Sequence, residues 1–330
     1  MMMLPALFAS QSALDPGGAN AARIFLLGKD MVFLLGIIFI AVIVMAFIPL
    51  GRRHRGIEQE PLEHTHRPSA ATERKLAIVV SSAVGATVLV LLGLVVVSVL
   101  VGKSISNAGV PADALTVEVT GNQWWWYVRY LNDDASKIVV TANELHIPVG
   151  RPVVIRGTSN DVIHSFWIPG LQGKRDLIPS RVNMEWIVAD HPGRFRGQCA
   201  EFCGLQHAHM AMWVVAEPET AFDAWMSHQT EDAVPPATDD LRRGQQVFLS
   251  STCVFCHHIQ GTDAAGQVGP DLTHFGSRLT IAAGTLPNNK GNLAGWIADP
   301  QSIKPGTKMA TVPVKSEDMQ PLIDYLESLQ

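Results

Sequence analysis

GQCAEFCGLQHAHM, residues 197–210, brings Cys199, Cys203, His207 and Met210 into one short loop with the spacing C-x3-C-x3-H-x2-M. Upstream, DVIHSFWIP at residues 161–169 offers a second imidazole, His164. Two thiolates, two imidazoles and a thioether form a soft donor set that suits copper and is foreign to Mg or Ca. A single blue-copper ion takes one cysteine, two histidines and a weak axial methionine. Two cysteines in one loop allow both sulfurs to bridge two copper ions, sharing one unpaired electron between them with little structural change. The competing chemistries are a Cys-x3-Cys disulfide, which would close a strained local ring, and zinc, which seldom recruits methionine. His209 lies between two of these residues and is assigned to the outer shell or the surface.

Around this loop, residues 115–218 carry strand signals. Leu115, Val117 and Val119 alternate with polar residues, and Val153-Val154-Ile155 follows the turn Gly150-Arg151-Pro152. Further β-type runs occur at 183–188 and 212–215. Short strands between Gly/Pro turns predict an all-β sandwich or barrel. A helical piece is expected near 219–229, and EDAVPPATD at 231–239 has the composition of a linker.

A second constellation begins at residue 253. CVFCH, residues 253–257, is the C-x-x-C-H attachment sequence of c-type haem, with Cys253 and Cys256 on the vinyl edges and His257 rising to the iron. A thioredoxin-like pair lacks the histidine and belongs in a βαβ setting, which this segment does not provide. The opposite axial ligand is expected to be a methionine that raises the potential. Met309 lies in KPGTKMA at residues 304–310, on an irregular loop 52 residues after His257. Met319 falls in an apolar stripe with Leu322, Ile323, Leu326 and Leu329 and is assigned to the core of a last helix. Asp239 and Asp240 are expected to cap a helix reaching Phe248. Residues 239–330 therefore read as a small all-α domain built around a cofactor.

The chain has 330 residues, only 17% of them charged, and its 47% of hydrophobic residues are concentrated near the N-terminus, a distribution that suggests a membrane protein rather than one large soluble core. Residues 31–50 and 76–102 contain no charge, and about 20 helical residues cross a hydrocarbon core of about 30 Å, so both are expected transmembrane helices. Arg52, Arg53, Arg55, Arg67, Arg74 and Lys75 crowd the segment 51–75, against Arg23 and Lys29 before it. The positive-inside rule then puts this loop in the cytoplasm and both termini outside. Residues 1–30 form an external segment whose first residues faintly resemble a signal peptide without a basic start. A net charge of −5 gives no electrostatic case for nucleic acid.

At these residues the chain resembles subunit II of haem–copper cytochrome c oxidase. The matching segments are ALDP at 13–16, GNQWWWYVRY at 121–130, residues 159–169, GKRDLIP at 173–179 and the copper loop. The resemblance implies a cupredoxin domain over 103–218 holding a dinuclear CuA centre through the side chains of His164, Cys199, Cys203, His207 and Met210 and the backbone carbonyl of Glu201. It also implies that the Glu201 side chain reaches a magnesium ion at the boundary with subunit I, and that Trp124 is where electrons pass towards copper. Alone, the run Trp124-Trp125-Trp126 would more often be packing. Residues 239–330, joined by a linker at 219–238, resemble a class I cytochrome c, with Gly269-Pro270-Asp271-Leu272 as the loop that sets the orientation of His257.

Together these resemblances imply the electron-input subunit of a proton-pumping oxidase in a bacterial plasma membrane, with both redox domains on the outer side. Its partners would be oxidase subunits I and III and an external donor such as a cytochrome c or a quinol–cytochrome c reductase complex. The oxygen site would lie on another chain. A copper and haem carrier serving a nitrous-oxide-reductase-like enzyme is the alternative. The haem domain, with nine acidic and seven basic residues, shows no strong docking field.

Overall fold

The computed structural model describes residues 11–53, 69–106 and 114–330. The signal-like start and most of the basic loop lie outside the described residues. Two long helices form one unit, and the remainder of the described chain forms another.

Helices α1 (Ala19–Arg53) and α2 (Ala70–Ser106) have 35 and 37 residues. At about 1.5 Å per residue each exceeds the roughly 30 Å of a hydrocarbon core. Both are apolar enough to cross a membrane, and their Leu, Val, Ile and Phe side chains are exposed, as lipid contact requires. They run past the charge-free stretches 31–50 and 76–102 at both ends. Apolarity sets what can lie in lipid, whereas helical backbone continues through good helix formers such as Ala70, Ala71, Glu73, Arg74 and Lys75. Glu73 lies in the first turn of α2, where the helix dipole favours an acid.

The β domain contains ten strands: β1 (Leu115–Asn122), β2 (Trp125–Tyr130), β3 (Val139–Ala142), β4 (Glu144–Pro148), β5 (Val153–Ser159), β6 (His164–Phe166), β7 (Arg175–Leu177), β8 (Asn183–Ile187), β9 (Gly193–Gln198) and β10 (Ala211–Glu217). One sheet has the order β3-β2-β1-β5-β8 and a second the order β4-β10-β9. β1 runs parallel to β5 and antiparallel to β2, and β10 runs parallel to β4. Alternation in β1 and β2 turns Val117, Val119, Trp126, Val128 and Tyr130 into one buried layer. Helix α3 (Glu219–Gln229) closes this core by inserting Phe222, with Trp225 and Met226 packed beside it.

The C-terminal domain is built on α4 (Asp239–Ser250), α5 (Lys290–Ala298), the short α6 (Pro300–Ile303) and α7 (Ser316–Ser328), with a small hairpin of β11 (Thr280–Ile281) and β12 (Leu286–Pro287). The cap of α4 is Thr238, not the expected aspartates. Thr238 has the extended backbone that a cap needs, its hydroxyl accepts from the Leu241 amide at 3.2 Å, and Asp239 and Asp240 occupy the first turn. α4 crosses α7 at Gly244, where any Cβ would stand 2.0 Å from the Pro321 carbonyl oxygen. Phe248, Ile323, Tyr325 and Leu326 fill the core beside that crossing, and Met319 packs against it.

Candidate functional site

β6 and the turn between β9 and β10 converge at one end of the β domain. The Cys199 amide donates to the Met210 carbonyl at 2.9 Å, closing the loop, and the Ala200 amide donates to Ser165 at 3.0 Å, fastening it to β6. The Cys199 sulfur lies 3.7 Å from that of Cys203 and 3.8 Å from His164 Nδ1. The Cys203 sulfur lies 3.6 Å from His207 Nδ1 and 3.9 Å from Met210 Sδ. The Glu201 carbonyl stands 3.3 Å from the Cys199 sulfur, while its partly exposed carboxylate faces Lys174 at 3.9 Å. His164, Cys199, Cys203 and Met210 are buried, and both cysteines are free thiols. The structure thus brings together all six residues expected around copper. His209 is exposed and bonds to Gln206 instead.

The chemistry of this donor set fits copper. The hydrogen bond from Cys203 is the main cause that holds the Cys199 thiol well below its ordinary pKa, and the same pairing, with burial, pushes Cys203 up. The pairing favours loss of one proton from the two thiols, and a cation that displaces the second completes the pair. His164 presents Nδ1 to the sulfur while Nε2 meets Asp161 Oδ1 at 2.8 Å, which fixes the ring. Asp161 was not singled out in the sequence; its signal was its position three residues before His164.

The haem-type motif forms a 3-10 turn, Thr252–Phe255, capped by Ser251. His257 follows directly, and its Nδ1 donates to the Pro270 carbonyl at 2.7 Å, leaving Nε2 for a ligand. Burial lowers the pKa of His257 and keeps the ring neutral. A Cβ on Gly269 would stand 2.8 Å from His257 Cε1, so the loop 269–272 reaches the ring only through glycine. A cavity of about 350 Å³ opens beside Cys253, Cys256, His257 and Met309, walled by Phe248, Leu272, Phe275, Leu293, Ile297 and Leu326. An apolar cavity lined by two free thiols, a histidine with an unpaired Nε2 and a methionine fits covalently attached haem.

Trp124 and Trp125 line the same cavity, although they belong to the β domain. Trp124 is 8% exposed, and its Nε1 donates to the Cys203 carbonyl at 3.0 Å. A Cβ on Gly204 would stand 3.2 Å from Trp124 Cζ2, and one on Gly306 would stand 3.5 Å from Cη2. The indole is therefore held between the copper loop and the loop that carries Met309. Lys304, at the start of that loop, is fully buried and donates to the carbonyls of Trp124 (2.8 Å), His209 (2.8 Å) and Ala282 (3.0 Å). Burial pulls its pKa down to about 7, against an opposing pull from Cys203. Nothing in the sequence distinguished Lys304 from a solvated loop lysine.

Comparison with known proteins finds a family for each of the two domains that carry these residues. The profile of the family described as cytochrome c oxidase subunit II, periplasmic domain, matches residues 129–217, and that of cytochrome c matches residues 241–330. Cytochrome c oxidase subunit 2 of Alkalihalophilus pseudofirmus is 34% identical over 325 residues, covering 97% of this chain and 91% of the relative. The subunit 2 of Bacillus sp. strain PS3 is 34% identical over 239 residues, covering 69% and 66%. Among solved structures, the periplasmic domain of subunit II of cytochrome oxidase of Bradyrhizobium japonicum aligns with 37% of this chain and 96% of its own, at 31% identity and a TM-score of 0.34.

Proposed function

The chain belongs to the cytochrome c oxidase subunit 2 family, with a cytochrome c domain fused behind its copper domain, and on that premise we propose that it is the electron-input subunit of a proton-pumping oxidase. Electrons from an external donor arrive at the C-terminal domain and leave through the β domain towards subunit I, where oxygen is reduced. The two domains imply copper and haem c, which supply one-electron redox chemistry when bound. His164, Cys199, Cys203, His207, Met210 and the Glu201 carbonyl would hold a pair of copper ions, and Cys253, Cys256, His257 and Met309 would hold the haem. The Glu201 carboxylate would meet magnesium at the subunit I boundary.

The protein's own contribution is to fix these ligands and exclude water. Buried thiols and imidazoles in a closed loop cannot move far when charge changes, which keeps reorganisation small. Trp124 supplies the bridge, because its indole bonds to the Cys203 carbonyl and lies against the methionine loop. Both apolar helices anchor the subunit in the membrane, and the basic segment between them points to a cytoplasmic loop with both redox domains outside. The donor, such as a cytochrome c or a quinol–cytochrome c reductase complex, and the further partner subunit III follow from the same proposal.

One observation carries it: the buried sulfur–imidazole cluster and the thiol-flanked cavity stand on either side of a single tryptophan. Purification of the membrane complex tests it. The expected complex contains a haem–copper subunit I, shows low-spin haem c and mixed-valence copper by EPR, and consumes oxygen with reduced cytochrome c. A complex with no such subunit and no oxygen uptake refutes the proposal. Trp124→Gln is expected to slow electron arrival at copper with the copper spectrum intact; an unchanged transient rate would remove the bridging role.

A further inference from the structure

We propose that Lys304 is a positioning residue that sets the register of the haem domain on the copper domain, and so holds Trp124 between the two sites. The inference rests on the function proposed above and deepens it.

The three acceptors of the Lys304 ammonium come from three separate segments. Trp124 closes the turn between β1 and β2, His209 lies in the copper loop, and Ala282 lies in the β11–β12 turn of the haem domain. All three donors of the amine go to neutral backbone carbonyls. A lysine so placed gives little net binding strength, because losing water costs about as much as three neutral carbonyls return. It is intolerant of error, however. Any slip of one domain against the other would leave the buried amine and its carbonyl acceptors unpaired, which costs far more than a slipped apolar contact. Such a group specifies one seating among many.

The rest of the interface depends on that seating. Ala282, Ala283 and Gly284 all have positive φ, and this turn gives one carbonyl to Lys304 within the haem domain and the next to the copper domain. Ala282 receives Lys304, and Ala283 receives the Ala211 amide at 2.9 Å. Gln206 Nε2 donates to the Pro305 carbonyl, next to Lys304, at 2.8 Å. At the other edge the Leu279 amide donates to Glu144 Oε2 at 3.0 Å. The carbonyl that Lys304 holds in Trp124 belongs to the residue whose indole bridges the sites, and Met309 follows Lys304 by five residues on one loop.

The test uses the full chain with both cofactors and compares it with Lys304→Met. Amide hydrogen exchange at Ala211 and Leu279, which are bonded across the interface, is expected to quicken at least about tenfold, the loss associated with leaving a buried carbonyl unpaired. The amides of Trp213, bonded within the copper domain, and Ile259, bonded within the haem domain, should keep their protection. Haem-to-copper transfer after flash reduction should slow by a similar factor with both spectra unchanged. Native protection at Ala211 and Leu279 in the variant overturns the proposal. Should Lys304→Met not fold, Lys304→Gln is measured in the same way, and collapse of both variants overturns positioning in favour of a folding role. Absence of flash-induced transfer in the native chain would refute the proposed function instead, leaving the exchange comparison to stand or fall alone.

Discussion

Single side chains in the copper loop do several jobs at once, and removing one exposes which. Cys203 lies near Cys199, His207 and Met210 and carries the carbonyl that receives Trp124 and Gln123. Cys203→Ser retains that carbonyl and a small polar side chain but removes a soft ligand. Metal analysis of the purified variant is expected to find loss of the copper pair with the fold intact by circular dichroism. Full copper content would refute the ligand assignment. His146 is a second informative residue, buried between Glu144 (3.1 Å) and Glu217 (3.2 Å) and stacked on Trp225. Burial alone would lower its pKa, but hydrogen bonds and charge from the two glutamates outweigh it and raise the value above the usual 6.5. A raised folded pKa gives stability that is complete below about 6.5 and is lost as pH rises through the folded value. Thermal unfolding of the native chain against His146→Gln should therefore show a gap that is widest in mild acid and narrows above neutrality.

Elements differ in how plainly the sequence announced them. The copper loop and the CVFCH motif were legible because their ligands are neighbours in the chain, so spacing alone defines the chemistry. His164 and Met309 lie 35 residues before Cys199 and 52 after His257, outside either motif, and were read from the donor set that copper needs and from the irregular loop that carries a methionine. Asp161, Lys304 and the role of Gly204 and Gly306 beside Trp124 were not legible, since each acquires meaning only when distant segments meet. Strand alternation in β1 predicted its buried face, whereas capping of α4 by Thr238 depended on a backbone angle that composition does not reveal. Two elements invite measurement. Gly269→Ala would place a methyl against the His257 ring, so the reduced absorption spectrum should show a high-spin fraction as the imidazole is displaced. Phe222→Ala in α3 removes a core ring and should cost roughly 3–5 kcal/mol in chemical denaturation of the soluble part.

At the scale of the whole chain, the linker turns an encounter between two proteins into a local equilibrium. A tether of this kind sets an effective concentration that dilution cannot change. Haem-to-copper transfer is accordingly expected to have a rate independent of protein concentration, in contrast to reduction by a separate donor. A rate that scales with concentration would mean that the domains react between chains. Trp124, with only 8% of its surface exposed, has a further consequence. The aromatic face of the copper domain is already taken by a leashed occupant, so a wandering carrier finds no vacant seat there. On the proposed route, a chain whose Cys253 and Cys256 are both serine should take electrons from a soluble cytochrome c far more slowly than the native chain, and an unchanged rate would reveal a second doorway.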